Sequence, residues 1–112
     1  MKIPGAERAI LDEAKVRDYL ISTEHRVGSA KARFFAQLGF DRRNWTVLRD
    51  ALQRFAQDDA QLGAATRFGQ KYVVWGTIQG PSGRAGQLVV VWIILRGEDF
   101  PRFVTAYPGV KS

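Results

Sequence analysis

No cysteine occurs in the 112 residues, and histidine occurs once, at position 25. The first absence removes disulfides, thiol nucleophiles and zinc sites built on thiolates; the second removes any metal centre that needs several imidazoles. A chain without thiols folds equally well in reducing and oxidising surroundings, so composition leaves the compartment open. No apolar run exceeds Leu88 to Leu95, far short of the ~20 residues that span a bilayer as a helix. No membrane partner is expected, and the opening MKIPGAERAI lacks the apolar stretch of a signal peptide. Acidic residues are missing from Ala60 through Gly97.

What is present is the make-up of an ordinary globular chain, 46% hydrophobic and 25% charged, of a length that suits one domain over residues 1–112. Seventeen Lys and Arg against eleven Asp and Glu give a net charge of +6, which favours an acidic partner or a phosphate backbone. Nine of the eleven carboxylates lie in the first 59 residues, interleaved with eleven bases. The acid-free stretch then holds Arg67, Lys71, Arg84 and Arg96. A cationic face suited to a polyanion such as RNA follows, with a solvated surface kept soluble by charge as the plain alternative.

Asp12 is placed to cap a helix running to about Ile21, with Ala14, Val16, Leu20 and Ile21 as its apolar members. Residues 24–28 read as a loop. Ser29 caps a second helix, Ala30 to Leu38, with Phe34, Phe35 and Leu38 inward and Gly39 at the stop. A third helix spans about Asn44 to Asp58, because Trp45, Leu48, Leu52 and Phe55 recur every three or four residues. Gln57 to Gly69 reads as a connection. From there the period becomes two: Lys71–Gln79 and Gln87–Arg96 are strands joined around Gly80-Pro81-Ser82-Gly83, and Arg102–Tyr107 is a last strand. The expected fold is α+β, N-terminal helices packed on one face of a C-terminal antiparallel meander of three or four strands, with a short strand near Ala9–Leu11 joining it.

If Gly80 pairs with Gly83, one sheet face carries Tyr72, Val74, Ile78, Val89, Val91, Ile93 and Leu95 and meets the helices. The other carries Lys71, Val73, Trp75, Thr77, Leu88, Val90, Trp92 and Arg96, a mixture of cations and indoles that suits RNA. Trp75 and Trp92 serve there as base-stacking platforms, or are covered by other protein.

His25 is the one side chain of the type that exchanges protons near neutral pH. It precedes a predicted helix N-terminus, whose unpaired N–H groups, together with Arg26 and Lys31, attract phosphate. An imidazole beside a captured phosphodiester can take the proton of a ribose 2′-OH or give one to the leaving 5′-oxygen, while Lys31 neutralises charge on phosphorus. The plain alternative is a loop histidine making one backbone hydrogen bond. Gly28-Ser29-Ala30-Lys31 is not a P-loop, because the first glycine and the Lys-Ser/Thr ending are missing. Near the end, Phe103, Thr105 and Tyr107 share a face by alternation; Thr105 and Tyr107 can donate to phosphate oxygens, or are there for β-propensity alone.

The segments Lys2-Ile3-Pro4, His25 through Phe40, Gly69 through Val74, and Trp92…Arg96-Gly97-Glu98-Asp99…Pro101…Val104-Thr105-Ala106-Tyr107 together resemble a bacterial family of small domains without an assigned function. A histidine, a Lys-Ala helix and a sheet ending in Thr-Ala-Tyr-Pro also resemble the Barnase-EndoU-colicin-RelE (BECR) superfamily of RNase toxins. That resemblance implies a metal-independent ribonuclease toxin, with no cofactor, working through 2′-OH attack. It assigns catalysis to His25, Lys31, Thr105 and Tyr107; with the residue-level reading above, RNA binding is expected of Arg26, Lys71, Trp92 and Arg96. It further implies an acidic antitoxin or immunity protein as partner; the expected site of action is the cytoplasm, and delivery within a larger secreted polypeptide stays open. Two other readings stay open: a non-catalytic RNA-binding or protein-interaction module, and the neutralising partner of a toxin.

Overall fold

The computed structural model describes residues 1–20 and 29–111. The chain opens with a short 3-10 turn, Ala6–Arg8, and a π-helical segment, Ala14–Leu20. Asp12 starts that segment as its residue type predicts: its Oδ1 accepts the Ala14 N–H at 2.9 Å and its carbonyl accepts those of Lys15 and Val16. Helix α1 is Ser29–Gln37, and α2 is Trp45–Phe55, led in by a 3-10 turn at Arg42–Asn44. Asp41 closes a capping box there, accepting from the N–H groups of Arg43 and Asn44 while the Asn44 side chain accepts from Asp41 N–H.

Gly39 stops α1 because its φ of +97° suits glycine. The N–H of Gly39 reaches Ala36 and that of Phe40 reaches back to Phe35. The Phe35 and Phe40 rings then meet edge-on at 6.3 Å, the apolar contact that accompanies such a stop.

Four antiparallel strands follow in the order β1 (Gln61–Ala65), β2 (Gly69–Gln79), β3 (Ala85–Leu95) and β4 (Arg102–Pro108). Strand β1 lies in the stretch expected to be a connection, because Gln-Leu-Gly-Ala-Ala is short and bulged and shows no alternation. Ile10 adds a parallel bridge to Arg102 on the far side of β4, so the expected N-terminal strand joins the sheet as one pair.

The hairpin register differs from the expected one by a single residue, with Gln79 opposite Ala85 rather than Gly80 opposite Gly83. A slip of one exchanges the faces of a whole strand. Leu88, Val90 and Trp92 therefore point to the helices, while Val89, Val91, Ile93 and Leu95 point away. Trp92 is fully buried, at 0% exposure, and stacks edge-on against Phe103.

The core lies between this inner face (Tyr72, Val74, Ile78, Leu88, Val90, Trp92, Phe103, Ala106) and the helical layer (Val16, Phe35, Leu38, Leu48, Leu52, Phe55). Gly76 leaves the gap that the Phe55 ring fills. Burying roughly 2 kcal/mol of transfer free energy per large aliphatic side chain makes this the main stabilising term. No helix of the described residues is long and apolar enough to cross a membrane.

Candidate functional site

Lys31 and Thr105, far apart in sequence, meet in space: the Lys31 Nζ donates to Thr105 Oγ1 at 2.9 Å. Local structure explains how. On α1, Lys31 stands one turn before Phe35, so its aliphatic stem follows the buried stripe while its ammonium emerges at the sheet edge. On β4, the register shifts between Val91 and Trp92: Phe103 faces Trp92, Thr105 faces Val91, and Val104 is the extra residue. A bulge of this kind re-aims neighbouring side chains. The expectation that Phe103, Thr105 and Tyr107 share a face is corrected here, since Phe103 belongs to the core and Thr105 lies beside the uncovered face.

A second lysine reaches the same edge. Lys15, from the π-helical segment, donates through Nζ to the Phe103 carbonyl at 3.3 Å. With Ala14, Val104 and Thr105 it lines an open hollow of about 360 Å³. Thr105 is thus flanked by two ammonium groups on separate helices, and Lys15 makes no ion pair among the described residues. Sequence reading overlooked Lys15 because one lysine in a helix carries no signal; only the packing of that helix on β4 gives it a role.

Tyr107 lies two residues beyond Thr105, opposite Val89, and is 41% exposed. Lys71 and Arg96 do not converge on the hollow. Lys71 is on β2, two strands from β4, and Arg96 is exposed just past β3, its N–H bonded to the Phe68 carbonyl. Trp92, expected as an exposed RNA-stacking ring, is a core residue with no surface to offer. Trp75 does lie on the outer face, half-buried, with the Lys111 ammonium 5.7 Å from its ring centre. His25 and Arg26 lie outside the described residues.

The acids near β4 are already engaged. Glu98 accepts two bonds from Arg102 at 2.8 Å each, and Asp99 accepts from Arg8 at 2.9 Å. The hydrogen bond from Arg102 holds the Glu98 carboxyl below its ordinary range, and that from Arg8 does the same for Asp99. Among the described residues no three Asp, Glu, His or Cys side chains come together as a metal site.

An antiparallel four-stranded meander with the described helices on one face defines an α+β domain, with a hollow lined by Lys15 and Thr105 at the edge of its last strand. The chain matches Domain of unknown function (DUF6883) over residues 2–110 and belongs to that family. No curated protein matches it. A chain of a solved contact-dependent growth inhibition toxin–immunity protein complex from Klebsiella pneumoniae 342 shares its fold, with a TM-score of 0.71 at 21% identity. That alignment covers 89% of this chain and 99% of the other.

Proposed function

We propose that this chain is a BECR-like ribonuclease domain of a growth-inhibition toxin, acting on RNA in the cytoplasm without a metal or cofactor. The observation that carries the reading is the Lys31 to Thr105 contact beside Lys15. One ammonium lines the hollow with the Thr105 hydroxyl and a second is bonded to that hydroxyl, equipment for holding a phosphodiester and neutralising its developing charge. Likeness of fold to a chain from a toxin–immunity complex supports the toxin setting.

In the proposed reaction His25, six positions before Lys31 in the chain, takes the proton of the ribose 2′-OH. The freed oxygen attacks phosphorus, the bond to the 5′-oxygen breaks, and Tyr107 relays a proton to that leaving group. The products are a 2′,3′-cyclic phosphate and a 5′-hydroxyl. Lys31 and Lys15 hold the non-bridging oxygens, and Thr105 fixes the Lys31 ammonium as well as offering its own hydroxyl.

The complex that shares this fold contains an immunity protein as well as a toxin, which favours one second reading, a neutralising partner. Expression in a bacterial host separates the two. Growth arrest by the wild-type chain, abolished by His25→Ala and by Lys31→Met, supports the toxin. Harmless expression, together with protection against a co-expressed toxin, supports the partner.

A further inference from the structure

From Leu88 to Leu95, strand β3 reads Leu-Val-Val-Val-Trp-Ile-Ile-Leu, a run of eight apolar residues. A strand with one face in water alternates; an unbroken apolar strand is built to be covered on both faces. Among the described residues, helices cover only one face of this sheet. Val73, Trp75, Val91, Ile93 and Leu95 stay half-buried on the other, outside the core cluster and the residues packed against it. At one end the chain supplies some cover itself: Gly109 donates to the Gln87 carbonyl beside buried Val89, and Lys111 reaches over Trp75. The Val73, Val91, Ile93 and Leu95 end has none among the described residues.

Charge frames that end. The register places Lys71 opposite Ile93, and Ile93 opposite Arg102, so two cations flank an isoleucine across three strands. No acid occurs between Ala60 and Gly97. Of the carboxylates nearby, Glu98 is bound by Arg102. An RNA ligand is a poor match, because branched aliphatic side chains give bases no flat surface to stack on. A second copy is a poor match too, since each carries the same +6 charge and the same cations.

The geometry points to a protein-docking face centred on Val73, Val91, Ile93 and Leu95, whose occupant is an acidic protein segment with apolar side chains at its centre and carboxylates at its rim. Lys71 pairs with those carboxylates, and the aliphatic strip supplies the desolvated middle of the interface. The inference does not rest on the ribonuclease reading: the face would bind such a segment whether or not the chain cleaves RNA.

The probe is a synthetic amphipathic peptide alternating valine with glutamate, compared with the same peptide carrying lysine for glutamate. Binding is followed by amide chemical shifts of the full chain. The glutamate peptide is expected to bind about ten-fold more tightly at low salt, to weaken as salt rises, and to shift Val73, Val91 and Ile93. Ile93→Lys should abolish binding. Lys71→Glu, a surface change that leaves the core intact, should reverse the preference in favour of the lysine peptide. The inference is overturned if both peptides bind alike, if shifts gather only around Lys15 and Thr105, if an oligouridine competes at Ile93, or if the unliganded chain sediments as a dimer that Ile93→Lys dissolves.

Discussion

Substituting Gly39 by alanine tests how α1, and Lys31 with it, is fixed to the sheet. Two costs attach to the added methyl. Gly39 has φ +97°, and an L-residue in that region loses about 1–2 kcal/mol. The new Cβ would also lie 2.6 Å from the Ser82 nitrogen. Ser82 must therefore retreat, and its N–H gives up the 3.0 Å bond to the Leu38 carbonyl, worth about 1 kcal/mol. Stiffening of the unfolded chain returns roughly 0.4–1 kcal/mol, for a net loss of about 1–2.6 kcal/mol. Gly83 supplies the control: its φ is +89° but nothing stands within 4 Å of its Cβ position, so Gly83→Ala bears the backbone cost alone. In thermal melts followed by circular dichroism, Gly39→Ala should unfold about 4–8 °C below Gly83→Ala, the equivalent of ~1 kcal/mol in a domain of this size. Equal melting temperatures would refute the claim that the β2–β3 turn is docked on the end of α1.

Trp92→Ala should cost about 3–5 kcal/mol in urea unfolding as a fully emptied core site. Trp92→Phe should cost much less, since the buried indole Nε1 has no hydrogen-bond partner among the described residues and loses nothing polar when removed. Acid should destabilise the chain through Glu98 and Asp99, whose carboxyls are held below their ordinary range in the folded state. Their contribution is complete at neutral pH and disappears as pH falls through those lowered values, so Glu98→Gln should flatten the acid limb of a stability-against-pH curve. At the hollow, Lys31→Met should lower RNA cleavage about 100-fold and Lys15→Met by less, as loss of transition-state charge stabilisation predicts, with melting temperatures unchanged within a few degrees.

Much of the fold was legible because strong local signals agreed with the tertiary result. Gly39, Asp12 and the Leu48, Leu52, Phe55 stripe each stop, start or orient a helix where residue chemistry says they should. The sheet was legible as a meander but not in its faces, since β3 is apolar on both sides and gives no alternation to choose between registers. Only the loop length decides, and the turn spans one residue more than assumed. That single slip moved Trp92 from a ligand platform to the core. Strand β1 escaped notice because alanine and glycine carry no strand signal; its pairing with β2 makes it a strand. At the site, a lysine and a threonine picked out for their chemistry do meet. Lys15 was illegible because its importance arises from packing alone.

Cleavage of purified RNA by the purified chain, with a chelator present, tests the central claim most directly. The account predicts fragments ending in 2′,3′-cyclic phosphate with wild-type protein, and intact RNA with His25→Ala or Lys31→Met. Intact RNA with wild-type protein across pH and metal conditions would contradict it, as would fragments that His25→Ala produces just as fast.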